Sequence, residues 1–124
     1  MHQKIIRLAA GLLALAAAGC SSSTTTYTCN FASTVGQCFE WSTTESLSSS
    51  EVSQLQTACT GGGAGGTFAT GATCSSTNRV GTCTFSAYGA VSGVTYAWAL
   101  YSPTYTATTG QAYCTTAGGT WTAG

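Results

Sequence analysis

Charge is what this sequence has least of. Of its 124 residues, three are Lys or Arg and three are Asp or Glu. Beyond residue 19 the shortage deepens: Arg79 is the sole cation, Glu40, Glu45 and Glu51 are the anions, and His, Lys and Asp are absent. One Arg cannot neutralise several phosphates, so nucleic acid is excluded as a partner. A polybasic grip on anionic lipid falls with it. Without His and without any Cys-x2-4-Cys knuckle there is no zinc ligand set, and neither metal nor other cofactor is expected. A catalytic thiol lacks the base or cation that would lower its pKa from about 8.5. The three carboxylates are then the only acid–base groups. Glu51 belongs to a helix cap, Glu40 lies between Phe39 and Trp41 where strand alternation turns it to solvent, and Glu45 falls in a Ser/Thr loop. No facing carboxylate pair of the kind that cleaves glycosidic bonds is expected, and the chain reads as a non-enzyme. The run Gly-Gly-Gly-Ala-Gly-Gly at residues 61–66 lacks the Lys and Ser/Thr of a phosphate loop and reads as a flexible connection.

A membrane-spanning run is also missing. After the cations Lys4 and Arg7, the apolar stretch at residues 8–18 is about half of the roughly 20 residues a transmembrane helix needs, and it ends in small residues. This is the pattern of a secretory leader over residues 1–19. Its end, Ala17-Ala18-Gly19-Cys20, resembles the lipobox of bacterial lipoproteins, although Leu is commoner where Ala17 stands. The resemblance implies cleavage before Cys20, lipid on the Cys20 thiol and on the new N-terminus, and a firm membrane anchor, since several acyl chains hold where one is marginal. Ser21 after the cysteine implies outer-membrane sorting in diderm bacteria, on the periplasmic or the cell-surface face. Residues 20–28 are then lipidated cysteine and Ser/Thr tether, and 29–124 a cysteine-rich domain. Ser and Thr supply 39 of the 105 residues from Cys20 onward, a surface kept wet by hydroxyls rather than charge.

What is abundant is cysteine. Cys29, Cys38, Cys59, Cys74, Cys83 and Cys114 make an even set, which in an exported chain reads as three disulfides. An internal repeat narrows the fifteen pairings. Cys29-x5-Val35-Gly36-Gln37-Cys38 matches Cys74-x5-Val80-Gly81-Thr82-Cys83 in spacing. Each then runs to a Gln-x-x-Cys (Gln56 to Cys59, Gln111 to Cys114) and a Gly-Gly-Thr-aromatic ending in Phe68 or Trp121. Two copies, at about 29–73 and 74–124, predict Cys38–Cys59 and Cys83–Cys114 within copies and Cys29–Cys74 between them.

Ser48-Ser49-Ser50-Glu51 has the form of a capping box, and Val52, Leu55 and Cys59 follow at i, i+3 and i+7, which predicts a helix stopped by Gly61. The repeat predicts a second helix between Pro103 and Gly118, with Ala107, Gly110 and Cys114 on its inner face. Strand character marks 34–42, 67–69, 79–88, 94–101 and 120–122, with residues 89–93 turning one strand back on the next as a hairpin found only in the second copy. The expected architecture is α+β: two helices stapled to a small antiparallel sheet, built from a tandem repeat.

Aromatics are the remaining functional lead. With three Leu and no Ile or Met beyond residue 19, most rings must fill the core, Trp98 and Trp121 foremost. Tyr101, Tyr105 and Trp41 are the candidates for stacking against a sugar ring. Thr-x-Thr steps such as Thr104-Tyr105-Thr106 lack the regular spacing of an ice-binding ladder. Taken whole, the region after Cys20 is similar to small cysteine-rich lipoproteins of diderm bacteria whose sequences carry recurring Cys-(x)-Gly-Gly-Thr-Trp endings, a resemblance that implies architecture and no activity. The sequence thus predicts a lipid-anchored, exported envelope protein without catalysis, in contact with envelope or extracellular polysaccharide or protein, or in a purely structural role. Binding carbohydrate through exposed Trp and Tyr is the more specific alternative.

Overall fold

Thr, Tyr, Phe and Trp suit a pleated, half-buried surface, and they fill the strands here. In the computed structural model, which describes residues 22–61, 63 and 65–124, the elements run β1 (Thr25–Phe31), α1 (Ala32–Val35), β2 (Gln37–Thr43), α2 (Ser49–Thr60), β3 (Thr67–Thr70), β4 (Arg79–Phe85), β5 (Thr95–Tyr101), α3 (Ala107–Thr116) and β6 (Thr120–Ala123). All six strands form one sheet, ordered β3-β1-β2-β5-β4-β6, with every described pairing antiparallel. The leader read over residues 1–19, together with Cys20 and Ser21, lies outside the described residues.

The domain is therefore an α+β unit with an antiparallel sheet, as expected, and with a short third helix, α1, that was not. Thr34 and Val35, read as strand, belong to it, and Gly36 ends it in the left-handed conformation at φ 69°. The larger surprise is β1. Residues 25–28 were read as tether, yet they pair along β2 from Thr25↔Thr43 to Phe31↔Gln37 and with β3 on the other side. The hairpin expected only in the second copy, β4–β5, thus has a counterpart in β1–β2.

Side-chain alternation gives the sheet two unlike faces. Following the register across all six strands, Phe68, Cys29, Phe39, Trp98, Cys83 and Trp121 form one row on one face. Tyr27, Trp41, Tyr96 and Phe85 form the adjacent row on that face. Both longer helices sit there, α2 tied to β1 by Cys29–Cys59 and α3 to β4 by Cys83–Cys114. The capping box at Ser48 and Glu51 starts α2, and Leu55 and Cys59 are buried beneath it. Thr106 and Thr109 form a second such box at α3, with Gly110 and Cys114 buried.

The opposite face carries Thr28, Glu40, Ala97 and Thr84 in one row and Asn30, Cys38, Ala99 and Thr82 in the next. The connection over residues 71–78 crosses this face. It is held by Cys38–Cys74, by the Cys74 N–H donating to Glu40 Oε2 at 3.1 Å, and by the Tyr101 hydroxyl donating to the Ser75 carbonyl at 2.8 Å.

Two of the three expected disulfides are corrected: Cys29 joins Cys59 rather than Cys74, and Cys38 joins Cys74 rather than Cys59, while Cys83–Cys114 stands as expected. The cause lies in the matching spacing of Cys29–Cys38 and Cys74–Cys83. Cys29 occupies the middle of a strand and Cys74 a connection, so equal spacing did not mean equal structure.

Candidate functional site

Because α2 sits over the β1 side and α3 over β4 and β6, the rings on the central strands β2 and β5 are covered only in part. Tyr88, Tyr96, Phe85, Trp98 and Tyr105 are half-buried and Tyr113 is 41% exposed. They form an unbroken strip. Ring centroids lie 5.1 Å apart for Tyr88–Tyr96, 4.6 Å for Tyr96–Phe85, 4.5 Å for Phe85–Trp98, 5.4 Å for Trp98–Tyr113 and 5.7 Å for Tyr113–Tyr105. Phe85 and Tyr96 stack at 15°, and most of the other pairs are tilted or edge-on, the offset arrangements ring quadrupoles favour. Trp98 stands at the centre, with Phe39 a further 5.8 Å away across the β2–β5 seam.

Four phenol hydroxyls belong to this strip. Burial, and next the neighbouring Tyr88 and Tyr113, push the Tyr96 hydroxyl above its ordinary pKa, so it stays a neutral donor and acceptor. At the far end the Gln37 side-chain amide donates to the Tyr105 hydroxyl and fixes that ring. No Lys, Arg, Asp or Glu belongs to the strip. Its chemistry is therefore flat apolar faces edged by uncharged hydroxyls.

Of the three rings expected to meet a sugar, only Tyr105 retains access. Trp41 is 2% exposed, packed against Tyr88, Phe68 and Phe39. Tyr101 is 5% exposed and faces the 71–78 connection rather than the helix side. Trp98, expected in the core, is half-buried and packs against Phe39, Phe85 and Tyr113. Trp121 is also half-buried, but it is enclosed by glycines: a Cβ at Gly81 would run into its ring and one at Gly110 would come within 2.7 Å of it. The central rings were missed because strand order decides which aromatics a helix covers, and strand order is not written in alternation. The signal that was present is the shared face of Tyr96 and Trp98 on β5.

The three carboxylates are dispersed. Glu51 accepts from the Ser48 N–H and hydroxyl at 2.7 Å each, which, with the hydroxyl contributing most, holds its carboxyl below the usual pKa. Glu45 is exposed beside Gly93. Glu40 faces away from Phe39 and Trp41 as expected, but it is half-buried under the connection instead of open to solvent. With Arg79 and Cys74 it lines a recess of about 60 Å³, well below the roughly 300 Å³ at which ligand pockets begin. A wider groove of about 450 Å³ runs between α2 and the 86–94 loop.

Cys29, Cys38, Cys59, Cys74, Cys83 and Cys114 are all engaged in disulfides, which points to an oxidising, extracytoplasmic compartment. No described helix is long and apolar enough to cross a membrane. The chain matches no protein family, no curated protein and no solved structure.

Proposed function

We propose that this chain is a non-enzymatic carbohydrate-binding domain, exported and held at the outer membrane of a diderm bacterium by lipid on Cys20. The single observation that carries the binding role is the half-exposed strip Tyr88–Tyr96–Phe85–Trp98–Tyr113–Tyr105. Pyranose rings present flat C–H faces to aromatics and hydroxyls to their edges, and the strip offers both. The absence of charge from the strip favours a neutral glycan over an acidic one. The polar, Ser/Thr-rich exterior makes this apolar patch the feature a partner would recognise.

The same proposal reads residues 25–70 and 79–123 as two copies of one strand–strand–helix–strand unit, in the register that superposes Cys29 on Cys83 and Cys59 on Cys114. In support, an added Cβ at Gly66 would strike Cys29 Sγ and the Phe31 ring, and one at Gly119 would strike Cys83 Sγ and the Phe85 ring.

Binding is tested by retention of the purified domain on insoluble neutral polysaccharides. Wild type is expected to be retained and Trp98→Ala to elute, with both folded by circular dichroism. Passage of wild type through every neutral polymer would remove the proposal. The anchor is tested separately by labelling cells with a fatty-acid analogue. Label on wild type and none on Cys20→Ser is expected, and an unlabelled wild type would refute lipidation.

A further inference from the structure

We infer that the groove between α2 and the 86–94 loop is a second subsite for the same glycan, so that the domain grips a linear neutral chain along its length rather than at one end. The inference rests on the carbohydrate reading of the aromatic strip. Its own ground is a junction: Tyr88 is both the terminal ring of the strip and part of the groove wall, opposite Ser50, Ser53, Gln54, Thr57 and Ala58 of α2.

The lining is neutral and rich in unused hydrogen-bonding groups. Ser50, Ser53, Gln54 and Thr57 recur on one face of α2, a face that extends about 12 Å at 1.5 Å per residue. Among the described residues none of these four side chains has a hydrogen-bond partner in the protein. Several other hydroxyls on these helices are used within the protein. Ser48 caps α2, Thr60 donates to the Gln56 carbonyl, and on α3 Thr115 and Thr116 donate to the carbonyls four residues back. These four side chains thus line a shallow groove into which an aromatic ring already leads.

The occupant is fixed by that chemistry. A hydroxyl-rich chain stacked on Trp98 and Tyr96 would leave the strip at Tyr88 and enter a volume of about 450 Å³, within the usual range of ligand pockets, where each further sugar meets Ser, Thr or Gln. An anionic chain would find no cation in either part.

The test uses linear α- and β-linked gluco-oligosaccharides from disaccharide to hexasaccharide, titrated calorimetrically against the mature domain. For wild type, affinity is expected to rise with length until the chain spans both parts. Gln54→Ala combined with Thr57→Val should abolish that rise, lowering hexasaccharide affinity by about twenty-fivefold if each lost bond contributes roughly fivefold, while leaving the disaccharide unchanged. Ser53→Tyr, which fills the groove from an exposed position, should do the same. Trp98→Ala should weaken every length. Affinity independent of length, or a double variant identical to wild type at every length, would overturn the second subsite and leave the strip's role standing. Wild type that binds no chain would overturn both.

Discussion

The two halves of the sheet, residues 25–70 and 79–123, meet at the Phe39–Trp98 pair and fill the space under their helices in opposite ways. In the first half the helix supplies bulk: Leu55, four residues before Cys59, is fully buried over a sheet that carries Tyr27, with the Phe68 ring 6.1 Å from it. In the second half the helix and the strand supply none. Gly110 stands four residues before Cys114 and Gly81 two before Cys83, and Trp121, the counterpart of Phe68, takes the volume both leave. What must be conserved between helix and sheet is total volume, not size at any one position. The halves differ in cover as well. The 86–94 loop lays Val91 and Val94 into the first-half core beside Trp41, whereas Phe85, Tyr96 and Trp98 receive only partial cover. Completeness of packing on one side and openness on the other go with the roles assigned to them, framework and binding face.

The staples give the largest test of this comparison. Cys29–Cys59 and Cys83–Cys114 close rings of nearly the same size, with separations of 30 and 31, so replacing either pair by Ala should cost a similar amount, about 3.7 kcal/mol by loop closure. Denaturant unfolding measures both, and a loss confined to one pair would break the parallel. Next in size are the packing variants. Leu55→Ala should cost about 2–5 kcal/mol by leaving a cavity. Gly110→Leu should cost about 1–3 kcal/mol by driving a side chain into Trp121, and Trp121→Phe should recover part of that loss in the double variant. A neutral Gly110→Leu would refute the exchange of volumes.

Titration sharpens the contrast further. The Tyr96 hydroxyl is raised chiefly by burial, as is that of Tyr101, which Glu40 raises further and Arg79 partly offsets. A raised pKa means stability present below the unfolded value near 10 and lost as pH climbs through the folded one. Absorbance at alkaline pH should show these two tyrosines ionising late, with unfolding midpoints falling over the same range. The smallest effect is at the caps. Glu51 is held below its ordinary value of 4.5, so its contribution is present above that pH and lost as acid protonates it, whereas the Thr106–Thr109 cap of α3 has no carboxylate. Amide protection relative to the intrinsic exchange rate should therefore fall in mild acid in the first turn of α2 and not of α3.

Much of the fold was legible in local pattern. The box at Ser48 and Glu51 placed α2 to within a residue, alternation placed β5, and the small inner face of α3 was read from Gly110 and Cys114. What failed was non-local. Thr25, Thr26 and Thr28 look like tether because a strand between two others needs no long apolar run when its inward positions are only Tyr27, Cys29 and Phe31. Missing β1 left the shared cysteine spacing as the guide to pairing, and two disulfides were misassigned with it. The proposed binding face was hidden for the same reason: the sequence put Trp98 in the core and Trp41 on the surface, and the order β3-β1-β2-β5-β4-β6 buries Trp41 and leaves Trp98 half-open.

Trp98 is therefore where the central claim is most exposed to refutation. The decisive measurement is tryptophan emission of the mature domain during titration with soluble neutral oligosaccharides, run in parallel on Trp98→Phe. The account predicts a saturable blue shift in wild type, as sugar displaces water from the half-buried indole, and little or none in the variant. Emission that stays unchanged in wild type, or that responds equally in both proteins, would contradict it.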